Sequence, residues 1–151
     1  MRKTIILVLV VLAVAGCGRR YVDAPTPTSS VFQPTKTPPP VSAAQQNLQA
    51  LVEQGDTLFH TMYTEVGFAC ETCHFVDQEA QKIGPGLLNV GTRAESRIAG
   101  ESAETYLKNS ILHPNDFVVD GFTPNLMPQT YQDLLSDEEV DALVAYLMTL
   151  K

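Results

Sequence analysis

Cys70-Glu71-Thr72-Cys73-His74 places two thiols three residues apart with an imidazole directly after the second. This order suits one chemistry above others: each cysteine sulfur adds across one of the two vinyl groups of a haem, and the adjacent ring becomes the proximal iron ligand. A lone C-x-x-C also occurs as a disulfide, a redox pair or half of a zinc site. A structural zinc site needs a second pair of ligands at comparable spacing. The remaining histidines, His60 and His113, have no cysteine beside them. A thioredoxin-like pair belongs to a βαβ context that the flanking sequence lacks, so covalent haem is the expectation.

The chain of 151 residues is 44% hydrophobic and has no Trp. It can hold one modest domain plus an unstructured portion. Six of its 10 prolines crowd between Pro25 and Pro40, which separates a tail from a domain.

Met1-Arg2-Lys3, the apolar run Ile5 to Ala15 and Gly16-Cys17 have the order of a secretion signal: basic, hydrophobic, small. The apolar run is short of the roughly 20 residues of a bilayer-spanning helix. Val14-Ala15-Gly16-Cys17 resembles a bacterial lipobox. That resemblance implies removal of residues 1–16 and attachment of a diacylglycerol to Cys17. The plainer alternative is a secreted chain with an incidental cysteine. Three cysteines leave one over after the haem pair, and an unpaired thiol in an exported protein calls for an explanation. Stable membrane attachment takes two or more acyl chains. Export and covalent haem support each other, because c-type attachment belongs outside the cytoplasmic membrane.

The formal charge is −7, and loss of Arg2 and Lys3 with the signal takes it to −9. Nucleic acid is excluded as a partner, since its phosphates require a basic surface. An acidic domain is steered towards partners with basic faces, although such a surface also serves plain solubility.

Residues 17–41 read as a lipidated cysteine followed by a Pro/Thr-rich linker, and 42–151 as the folded domain. In polyproline II geometry the 24 positions from Gly18 to Val41 reach roughly 70 Å. Such a leash keeps the local concentration of the domain high at a membrane complex. Ser42 caps a first helix running to about Met62, with Leu48, Leu51, Val52, Gly55, Leu58 and Phe59 as its apolar stripe. Gly55 there implies close approach by another backbone. Ile83-Gly84-Pro85-Gly86-Leu87 is a turn, either a bare surface feature or one whose carbonyl accepts the proton on the far nitrogen of His74. Asn89 to Gly100 reads as loop, Ala103 to about Leu112 as a helix capped by Ser102 and ended by Pro114, and Phe117 to Thr130 as irregular. Ser136-Asp137-Glu138-Glu139 is a capping box opening a last helix with Val140, Leu143, Val144 and Leu147 buried.

The second iron ligand separates an electron carrier from a ligand binder or peroxidase. The candidates are Met62, Met127, Met148, His60 and His113. Met148 continues a helix, His60 and Met62 sit too near Cys70 in sequence to cross the haem easily, and His113 suits a cap. Met127 lies far down the chain in a proline-braced loop able to wrap the haem edge, and is the expected ligand. A neutral thioether favours ferrous iron and raises the reduction potential.

From about Gln45 to Lys151 the sequence resembles class I c-type cytochromes. The resemblance rests on Gly55…Phe59, Cys70-x-x-Cys73-His74, Gly84-Pro85, Tyr106-Leu107…Ser110-Ile111…Pro114-Asn115, Met127-Pro128 and Leu135-Ser136-Asp137-Glu138-Glu139-Val140 through Tyr146-Leu147. It implies an all-α fold of three main helices round one covalent haem c, with first and last helices crossing at Gly55 and the Val144 to Leu147 face. It further implies that the Pro85 carbonyl orients His74 and that Arg93 meets a haem propionate. The segment from His60 to Ala69 is longer than the family's usual spacer. Ser110 through Pro128 is similar to cytochrome domains of respiratory complexes, including those of alternative complex III and oxidase subunit II. The implied role is a one-electron carrier at the outer face of a bacterial membrane. It would run between a quinol-oxidising complex and a terminal oxidase or photosynthetic reaction centre, as subunit or shuttle. The rivals are a haem peroxidase or gas sensor with a displaceable Met127, and an assembly lipoprotein that keeps haem for stability.

Overall fold

A computed structural model describes residues 41–151. The signal segment, Cys17 and the linker up to residue 40 lie outside the described residues. Six α-helical segments follow in order: α1 (Ala43–His60), α2 (Cys70–Cys73), α3 (Val90–Arg93), α4 (Ala103–Leu112), α5 (Tyr131–Leu134) and α6 (Asp137–Thr149). A 3₁₀ turn, Ala94–Ser96, follows α3. No strand occurs among the described residues beyond a single bridge between Tyr63 and Phe68. Three helices carry the fold and the others are single turns.

Each long helix starts where a side chain can satisfy its free amides. The Ser42 hydroxyl accepts from the Gln45 amide while the Gln45 side chain accepts from the Ser42 amide. Ser136 and Glu139 repeat this reciprocal pair at α6, and Ser102 accepts from the Thr105 amide at α4. Such caps contribute about 1 kcal/mol each. Asp137, Glu138 and Glu139 in the first turn of α6 also oppose the positive end of its dipole.

The core forms where α1 and α4 meet α6. Phe59, Tyr106, Leu107, Ile111, Val140, Leu143, Val144 and Leu147 are buried together. Gly55 permits the α1–α6 crossing: a Cβ there would strike the carbonyl of Ala142 and stand 2.7 Å from the Tyr146 Cβ. The crossing therefore includes Tyr146 of the expected Val144 to Leu147 face and extends back to Ala142. Phe59 packs against Tyr146 with ring centroids 5.6 Å apart.

Other sequence expectations are corrected here. Leu48 is 59% exposed, because the first two turns of α1 bury nothing and the helix meets the core only from Leu51 onward. The helix stops at His60, where the Thr61 amide bonds the Leu58 carbonyl, so Met62 stands outside it. Asn89 to Gly100 is not plain loop. Gly91 lies so close to the Met148 backbone that a Cβ would approach its carbonyl to 2.8 Å, and this packing organises the short turns of α3 and the 3₁₀ segment. Tyr131–Leu134 is a further turn with no periodic signal, fixed by the burial of Tyr131.

Gly55→Val forces backbone apart at the α1–α6 crossing, and overpacking of this kind costs about 1–3 kcal/mol. Denaturant unfolding of the variant is expected to show that loss of stability; an unchanged midpoint would contradict the crossing.

Candidate functional site

The chain closes round one large cavity of about 410 Å³, within the roughly 300–1,000 Å³ typical of cofactor pockets. Phe59, Leu107, Ile111, Leu143 and Leu147 wall it from the core side, and residues of the 114–128 segment from the other. Cys70, Cys73, His74 and Met127 all line it.

The Cys70–Cys73 turn is one helical turn whose opening amide, on Ala69, donates to the Thr72 hydroxyl at 3.1 Å. No disulfide joins the two sulfurs. Burial pushes the Cys70 thiol up to about 11 and raises Cys73 as well. A redox-active pair needs the reverse, a depressed thiol. The Lys82 ammonium braces the turn by donating to the Glu71 carbonyl at 2.6 Å, and it lies 4.8 Å from the Phe75 ring centroid.

His74 leaves this turn with its ring held from behind. Its Nδ1 donates to the Pro85 carbonyl at 2.8 Å, which fixes the tautomer and leaves the Nε2 lone pair available. The 83–87 turn is thus the acceptor reading, not a bare surface feature. Gly84 makes the approach possible, since a Cβ there would stand 2.9 Å from both ring nitrogens. The turn itself is hung on the attachment segment by the Gly84 amide to Cys73 carbonyl and Leu87 amide to Phe75 carbonyl bonds, 2.9 and 2.7 Å. Burial lowers the imidazole pKa, more than the Pro85 bond raises it, so the ring is neutral at pH 7.

Across the cavity, Asn115 and Asn125 clasp the two ends of the 115–125 loop. The Asn115 amide donates to Asn125 Oδ1 at 2.7 Å, and the Asn125 backbone amide donates to Asn115 Oδ1 at 2.8 Å. Asn125 sits at φ 62°, a left-handed conformation that Asn tolerates better than most residues. The chain then delivers Met127 to the cavity wall, with Pro128 after it. Among the other candidates, Met62 and His60 are exposed, Met148 on α6 is partly buried against the core, and His113 closes α4; none lines this cavity. His60 instead stands between Asp56 and Glu71 at 3.4 and 3.6 Å.

Arg93 is more committed than the sequence indicated. Its Nη2 donates to the Gly86 carbonyl at 2.6 Å, and Nη1 donates to the Leu88 carbonyl and pairs with Glu79 at 3.2 Å. The Asn89 amide, and then Arg93, hold the Glu79 carboxyl below the usual carboxylate range. Only the buried Nε of Arg93 is left without a partner. An orphaned donor at the wall of an apolar cavity fits a bound group with acidic edges. Tyr131 is a further lining residue that periodicity did not single out; burial holds its phenol neutral, pushed up to about 12.

The family profile described as Cytochrome c matches residues 52–151. The chain belongs to the cytochrome c family. It is accordingly an all-α class I cytochrome c and an electron carrier whose haem c is covalently bound. The cavity suits that group on its own terms: apolar walls for the macrocycle, two thiols on one side, a neutral imidazole and a thioether in the lining, and an unpaired guanidinium nitrogen. No curated protein matches the chain. Among the described residues, no helix of this cytochrome is long and apolar enough to cross a membrane.

Gly84→Ala is expected to push the imidazole off the Pro85 carbonyl. In proton NMR of the reduced protein the His74 Nδ1 proton loses its protection from exchange. A signal as protected as in the parent would show that the close approach is not required.

Proposed function

We propose that Cys70 and Cys73 carry the haem of this cytochrome through thioether bonds, that His74 Nε2 and the Met127 sulfur are its axial ligands, and that the protein moves single electrons at the outer face of a bacterial membrane. The observation that carries the assignment is the joint presence of both thiols, the oriented His74 and Met127 in the lining of one apolar cavity. When bound, the haem supplies a one-electron couple. The chain supplies the rest. Pro85 holds the His74 ring so that its basic nitrogen faces the cavity, and the Asn115–Asn125 clasp holds the loop that presents the thioether. With His74 and Met127 both holding the iron, no site would be left for a substrate, and residues fixed by the Pro85 bond and the Asn115–Asn125 clasp would keep reorganisation small.

The wider setting rests on sequence. The basic, apolar and small residues of 1–16 and the Val14 to Cys17 lipobox support export and a diacylglycerol on Cys17, with the Pro/Thr-rich stretch to residue 41 as tether. The donor in this reading is a quinol-oxidising complex. The acceptor is a terminal oxidase or photosynthetic reaction centre, with this chain as a subunit of such a complex or as a shuttle. The negative charge of the chain supports partners with basic faces.

An optical redox titration of the membrane-extracted protein tests the ligation. The parent is expected to show one low-spin haem, a long-wavelength ferric band from the Met–iron bond, and weak binding of carbon monoxide when reduced. Met127→Leu should remove the band, open the site to carbon monoxide and lower the potential by a sizeable part of the roughly 0.8 V that axial ligands control. Ready carbon monoxide binding by the parent at neutral pH would overturn the carrier reading in favour of a sensor or peroxidase.

A further inference from the structure

Of the five Lys and Arg in residues 42–151, two line the cavity, while none of the 16 Asp and Glu of that stretch does. An acidic domain has therefore kept its carboxylates out of this cavity wall and placed Arg93 and Arg97 in it. The two are one helical turn apart in sequence and very differently engaged. Arg93 engages both terminal nitrogens with the Gly86 and Leu88 carbonyls and Glu79, which ties the 86–93 segment together and leaves the Nε–H and one Nη2–H of its five donors free. Arg97 is half-buried, and its guanidinium makes no hydrogen bond or ion pair among the described residues.

A guanidinium is a planar fork of five donors matched to a carboxylate, which it meets through two parallel bonds. No Asp or Glu of residues 42–151 lines the cavity, and Arg97, half-buried in its lining with its donors unengaged among the described residues, has a free fork for a carboxylate. The haem of the proposed function brings two. We propose that Arg97 is the principal anchor of a haem carboxylate in this cytochrome, and that Arg93 is chiefly a strut that contributes one Nε–H. The resemblance to the family pointed to Arg93 for this contact; the hydrogen bonds of Arg93 transfer the main part of it to Arg97. A cation held there also offsets the negative charge that the carboxylates place beside the iron, and so favours the ferrous state.

This inference rests on haem occupying the cavity, and the two are tested separately. The haem c content of the purified parent, read from its pyridine haemochrome spectrum, tests occupancy. Arg97→Gln, Arg97→Lys and Arg93→Gln then test the anchor, each as full-length holoprotein. Arg97→Gln is expected to keep its haem, lower the midpoint potential, and shift the haem-carboxylate bending band in resonance Raman. Arg97→Lys, which keeps the charge and loses the fork, should recover most of the potential while the band stays shifted. Arg93→Gln should lose thermal stability and move the potential less than Arg97→Gln does. If Arg97→Gln leaves the potential and the band as in the parent, or Arg93→Gln moves them further, the assignment is wrong.

Discussion

The hydrogen bond from His74 Nδ1 to the Pro85 carbonyl is the constraint round which the rest is arranged. It requires a half-buried neutral imidazole, a proline turn brought back to the attachment segment, and a residue without a side chain at position 84. Each requirement recruits further structure. The turn is held by the amides of Gly84 and Leu87 on the Cys73 and Phe75 carbonyls, and from the other side by the Arg93 guanidinium on Gly86 and Leu88. Arg93 in turn sits on α3, which packs against the end of α6 through Gly91 and Met148. The orientation of one ring is thereby tied to the helix crossing at Gly55 that forms the core.

Charge is sorted in the same spirit. Acidic side chains cover the exterior, and the cavity wall carries guanidinium groups, a neutral imidazole, thiols and a thioether. An apolar, water-excluding cavity raises the strength of every electrostatic contact inside it. Under the proposed ligation, a cation there and the soft Met127 sulfur would both favour the reduced iron, and desolvation, which lowers the His74 pKa, keeps the imidazole neutral and able to bind a metal.

Much of this was legible in the sequence because it is written in short-range rules. The capping residues Ser42, Ser102 and Ser136 marked the helix starts, and the thiol spacing with the adjacent histidine marked the cofactor. Gly55 was legible as a site of close approach and the 83–87 turn as a candidate acceptor for the His74 proton, but Ala142, which takes the Gly55 contact, is an alanine with no signal in the sequence. What stayed hidden depends on distant partners. The turns between Asn89 and Gly100 form because Gly91 meets Met148, Tyr131 is a cavity residue with no periodic neighbour, and Leu48 belongs to an apolar stripe whose first turns overhang the core. The engagement of Arg93 and the openness of Arg97 likewise depend on carbonyls that only the folded turn brings together. No pattern of residue types separates those two arginines.

Everything rests on a single porphyrin bonded to two sulfurs of this chain. Intact-mass spectrometry of that protein, denatured to strip anything held without a covalent bond, measures this directly. The predicted result is the mass of the polypeptide plus one haem, with the increment lost when Cys70 and Cys73 are both replaced by serine. A parent mass equal to the polypeptide alone, or an increment that survives the double replacement, would contradict it.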